Sequence, residues 1–110
     1  MEKSLWAINF ISNSRSFGSG VVIIDGNQIT GGDGGYYYIG NCIFTGNTIT
    51  ASAVITKHNS QVISIFGDLP SINLSLSGTV NGNEIQLSGH ITEIPQMTMQ
   101  ATMRKLTTLV

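Results

Sequence analysis

Charge is scarce in this sequence. Only 10% of the residues are Asp, Glu, Lys or Arg, against about 25% in an ordinary soluble domain. Neutral Ser, Thr and Asn must therefore build the polar surface. Such a surface repels its neighbours little, so self-association comes easily. The five basic residues (Lys3, Arg15, Lys57, Arg104 and Lys105) are scattered, and the net charge is −1. Nucleic-acid binding draws most of its affinity from clustered cations that neutralise phosphates. The adjacent Arg104 and Lys105 make no such cluster, which argues against direct contact with nucleic acid. Long apolar runs are also missing, and none approaches the ~20 residues of a membrane helix. Cys42 is the only cysteine, so no intrachain disulfide can form, in keeping with a reducing compartment. Met1-Glu2-Lys3-Ser4 leads straight into alternating sequence without the regions of a secretory signal. The expected location is cytoplasmic, and 110 residues suit one domain spanning 1–110.

Catalytic groups are equally sparse. His58 and His90 are the only histidines, whereas a metal site gathers three or four ligands. The six carboxylates are spread singly along the chain. No nucleophile elbow is present. The expectation is a non-enzymatic chain without metal or cofactor. His58, beside Lys57, reads as an exposed strand end, and His90 alternates away from Ile91 toward solvent.

What the sequence has in quantity is alternation with a period of two, the mark of β-strands. Trp6, Ile8 and Phe10 share one face of the first segment. Ile72, Leu74, Leu76 and Val80 share a face over 71–80, followed by Ile85, Leu87 and Ile91. Met97, Met99, Ala101 and Met103 line one side of the last strand. Three turns, Asp25-Gly26-Asn27, Thr45-Gly46-Asn47 and Asn81-Gly82-Asn83, use residues that tolerate positive φ. Each runs into a similar triplet: Gln28-Ile29-Thr30, Thr48-Ile49-Thr50 and Glu84-Ile85-Gln86. This predicts an up-and-down antiparallel β-barrel of about eight strands, closed to hide its edges. Only 59–68 breaks the pattern, and it predicts a short helical segment near 59–67, stopped by Gly67 and the Leu69–Pro70 step. Val21 to Ile24 and Tyr36 to Phe44 are apolar on both faces. Their outer sides call for a cover, from either the 59–68 segment or a second copy of the chain.

Three features bear on function. Gly31-Gly32-Asp33-Gly34-Gly35 lacks the acidic and aromatic continuation of a cyclic-dinucleotide synthase. It also lacks the following helix of a phosphate cradle. It reads as a tight loop with several positive-φ positions, in which Asp33 bonds backbone amides. Tyr36, Tyr37 and Tyr38 divide between two faces of a strand. They read either as two core rings and one rim ring or as a binding hot spot. The methionine stripe reads either as core or as the wall of an adaptable cavity. A carrier needs a cavity of roughly 300 Å³ or more, and the Ile, Leu, Val and Met inner faces predict a filled interior instead.

The stretch from Gly18 through Ser19, Gly20, Val21, Val22, Ile23, Ile24, Asp25, Gly26, Asn27, Gln28, Ile29, Thr30, Gly31 and Gly32 to Asp33 resembles the GrlR family. Phe10 to Asn13 upstream, and Tyr38 and Gly40 downstream, extend the likeness. That family includes a negative regulator of type III secretion genes. The resemblance implies a lipocalin-like antiparallel barrel, a homodimer, and regulation by protein binding that sequesters a transcriptional activator without touching DNA. In that regulator an exposed Glu/Asp run in the loop after the matched segment serves the partner. Here the corresponding loop, Phe44-Thr45-Gly46-Asn47-Thr48, carries no acid. The expected partner-binding residues are Tyr36, Tyr37, Tyr38, Thr45 and Asn47, with Gly18, Gly20, Gly26, Gly31, Gly32 and Asp33 as the structural motif. The leading function is a protein-binding regulatory domain. The alternative is a carrier of a small apolar ligand.

Overall fold

Alternating side chains commit a strand to one wet and one dry face, and eight such strands hide every edge by closing on themselves. The computed structural model describes residues 1–13, 17–61 and 71–110, Phe17 by its backbone alone. Its strands are β1 (Ser4–Ser12), β2 (Phe17–Asp25), β3 (Gln28–Gly32), β4 (Tyr36–Thr45), β5 (Thr48–Lys57), β6 (Ser71–Asn81), β7 (Glu84–Ile91) and β8 (Ile94–Thr108). They pair in chain order, all antiparallel, and β8 returns to β1 to close the barrel. The predicted all-β, up-and-down barrel is the observed fold.

The three Gly-Asn hairpins fall where the repeated signature puts them. Gly26, Gly46 and Gly82 have φ of 61°, 60° and 63°, a left-handed region that costs other residues about 1–2 kcal/mol. The β7–β8 turn, by contrast, is made by Thr92 and Glu93 without glycine, and no turn signal announced it. Of the helical segment expected near 59–67, residues 62–67 lie outside the described residues. Ser60 and Gln61 form a turn, with Asn59 Oδ1 accepting from the Gln61 amide at 3.1 Å.

The inner faces are those the alternation predicted. Trp6, Ile72, Leu74, Ile85, Leu87, Ile91, Met99, Ala101 and Met103 are buried, with Ile8, Phe10, Leu76, Val80 and Met97 packed against them. The filling is uneven along the barrel. Next to the three Gly-Asn hairpins, Trp6, Ile24, Cys42, Ile49 and Ile85 leave at most 1% of their surface exposed, so this end is plugged. The Trp6 indole donates to Ser4 Oγ at 2.8 Å, and Ser4 Oγ donates to the Glu2 carbonyl at 3.1 Å. The plug therefore buries a polar pair without losing its hydrogen bonds.

Outside, β2, β4 and β5 carry exposed apolar side chains, and the cover expected from 59–68 lies, from 62 onward, outside the described residues. Val21, Tyr37, Ile39, Ile43 and Val54 are exposed, Ile43 the most at 61%. The register makes most of them one band. Tyr37 faces Gly32, which faces Val21, and Ile39 lies between Thr30 and Val54.

Candidate functional site

Toward the other end the barrel is not filled, contrary to the filled interior that the inner faces predicted. A cavity of about 310 Å³ lies among inward residues of every strand, including Ile8, Phe10, Ala53, Leu74 and Met99. None of the five plug side chains lines it. Ile8, Ala51, Ala53, Ile55 and Leu76 point inward yet are only half-buried. The area they retain is cavity wall. Alanine at 51, 53 and 101 is part of the cause, because three short side chains stand where longer ones would meet across the barrel.

Polar atoms enter this apolar space chiefly through the loop that joins β3 to β4. Asp33 Oδ1 accepts from the amides of Gly35 and Tyr36, each at 2.8 Å. The Tyr38 hydroxyl donates to Asp33 Oδ2. The Asp33 amide in turn donates to the Tyr36 carbonyl at 2.9 Å. Among the described residues, Asp33 is the one of formal charge on the cavity wall. Burial, followed by the hydrogen bond and charge of Asp33, pushes the Tyr38 phenol far above its ordinary value. The proton stays on Tyr38, and the phenol is a committed donor to the carboxylate.

Two neighbours seat this pair. A side chain at Gly20 would lie 2.8 Å from the Tyr38 hydroxyl and 2.7 Å from the Gly32 carbonyl, so only glycine clears them. The Phe10 ring, over Gly18, meets Tyr38 edge-on with centroids 6.4 Å apart. The chain just past β5 clamps the loop from outside. The His58 and Asn59 amides donate to the Gly35 carbonyl at 2.8 and 3.2 Å, and His58 Nε2 donates to the Asp33 carbonyl at 3.0 Å. His58 is exposed, as expected, but its part in the loop is not legible in the sequence, because only the Tyr36–Lys57 pairing brings it there.

Of the residues expected to form a partner surface, Tyr36 and Tyr38 are buried inside the barrel and Tyr37 stands outside, 44% exposed. Thr45 and Asn47 are exposed at the opposite end of β4. The five do not share one surface, because alternation sends neighbouring tyrosines to opposite sides of the wall. Of the structural motif, Gly18 and Asp33 line the cavity and Gly20 lies beside Tyr38 and Asp33, while Gly26 makes a hairpin. Gly31 and Gly32 do not take the positive φ expected of that loop. Gly31 is needed for close approach, since a Cβ there would collide with the Val21 carbonyl.

Cys42 is buried in the plug, and burial pushes its thiol above the usual value despite an opposing effect of the N-terminal charge. Among the described residues, no group of His, Cys, Asp and Glu is placed to hold a metal ion. No protein-family model and no curated protein matches the chain.

Proposed function

We propose that this chain is a non-catalytic binding domain that holds a small apolar ligand inside its barrel. The cavity of about 310 Å³ carries the proposal. Ligand sites are typically apolar hollows of ~300–1,000 Å³ with a few placed polar groups. This hollow has apolar walls and the Asp33–Tyr38 pair. Calorimetric titration with 1-decanol tests the reading. One site per chain is expected, with a negative heat-capacity change from apolar burial. The absence of saturable binding would remove the proposal.

The outer band of Val21, Tyr37, Ile39 and Val54 favours a second reading, a protein-binding regulatory domain that is itself a homodimer. Exposed apolar patches of this kind mark association surfaces. The resemblance of 18–33 to the GrlR family points the same way, toward cytoplasmic sequestration of a transcriptional activator without DNA contact. The acid-free 44–48 loop makes this surface less electrostatic, so partner binding should depend weakly on salt. Light scattering at tens of micromolar should return a dimer mass, reduced by Ile39→Lys. A monomer mass for the unaltered chain would count against it.

A further inference from the structure

The polar groups that border the cavity differ in what they can still offer. A carboxylate has about four acceptor positions and no donor. Two on Asp33 Oδ1 are taken by the Gly35 and Tyr36 amides and one on Oδ2 by the Tyr38 hydroxyl. One acceptor position remains on Oδ2. The Tyr38 hydroxyl has spent its only proton on Asp33, so it too can only accept. A ligand head placed here meets two acceptors, one of them a carboxylate, beside apolar walls that weaken solvent screening. Lys57, at the end of β5, is the described cation beside this loop. Its ammonium lies over the Tyr36 ring, 5.8 Å from the centroid, and Lys57 does not line the cavity.

From this we infer that the barrel selects apolar molecules with a hydrogen-bond-donating head, an alcohol or a protonated amine, and rejects the matching carboxylates. The inference rests on the ligand-binding reading and adds the chemistry of the head group. A fatty acid would set its carboxylate against that of Asp33. An alcohol or ammonium would fill the vacant position on Oδ2, and its hydrocarbon tail would lie among Ile8, Leu74 and Met99.

The test is a matched series at neutral pH, each member below its micelle concentration: decylamine, 1-decanol, decyl methyl ether and decanoate, titrated calorimetrically into the full chain. Decylamine and decanol should bind at least about tenfold more tightly than decanoate and the ether, since a hydrogen bond to a charged group is worth that much. Asp33→Asn keeps an oxygen for the two amides and turns the other position into a donor. It should erase the preference for the amine and strengthen decanoate. Should that variant fail to fold, the order of affinities in the unaltered protein decides alone. Equal affinities across the series, or tighter binding of decanoate, would overturn the head-group inference and leave the ligand-binding reading standing. No binding by any member would overturn both.

Discussion

Ala53 provides a test in which the sign of the effect, as well as its size, is decided by the cavity. Ala53 sits in the middle of β5, opposite Leu74 on β6 and Gly40 on β4, and faces the open volume. Ala53→Leu adds three carbons. If they enter empty space, each buried carbon is worth about 0.8 kcal/mol, so the transfer gain is about 2.4 kcal/mol. Ordering a leucine side chain costs roughly 0.5–1 kcal/mol, which leaves a net stabilisation of about 1.5 kcal/mol. In a filled core the same substitution is overpacking and costs typically 1–3 kcal/mol. The two cases differ by several kcal/mol and in direction. Urea denaturation reads the difference as a shift in midpoint at unchanged slope. A raised midpoint, together with weaker binding of 1-decanol, is expected. A lowered midpoint would refute the reasoning, because it would mean that Leu74 and its neighbours already occupy the space.

Three further outcomes follow from particular residues. Gly46→Val should cost about 1–2 kcal/mol in the same denaturation assay through positive φ alone, since nothing lies within 4 Å of the added Cβ, and it should leave ligand affinity unchanged. The folded protein holds the Tyr38 proton more tightly than the unfolded chain does. Its contribution to stability is therefore whole below the ordinary phenol value of about 10 and is lost as pH rises above it; Tyr38→Phe should flatten that alkaline decline in a melting-temperature profile. The Cys42 thiol should react with a disulfide reagent only in denaturant, since burial both shields it and suppresses its thiolate, and fast labelling of the native protein would contradict the plugged end.

Alternation and turn chemistry are local properties, and they account for the parts of this fold that are legible residue by residue. The period of two in 71–80 and 97–103 specified which side chains point inward. Positive φ at Gly26, Gly46 and Gly82 follows from Gly-Asn hairpins whatever the rest of the chain does. Closure followed as well, because so many short strands with one dry face have few other ways to hide their edges. The 92–93 turn is not legible in the sequence because Thr and Glu carry no backbone signature. The sequence offered a cavity only as one alternative for the methionine stripe, of which Met99 and Met103 do line it. Whether an interior is full depends on the sum of side chains from eight strands at one level of the barrel, and that level is set by register. Ala51, Ala53 and Ala101 look like ordinary strand residues until pairing brings them around the same space. The site was half legible. The Gly-Gly-Asp loop stood out, and the bonds from Asp33 to backbone amides were expected of it. That the Tyr38 hydroxyl would reach Oδ2, over the gap left by Gly20 and beneath a loop clamped by His58, required three hairpins to be in place. Contacts between strands distant in sequence are decided by tertiary structure, because the closed barrel alone sets which residues share a layer.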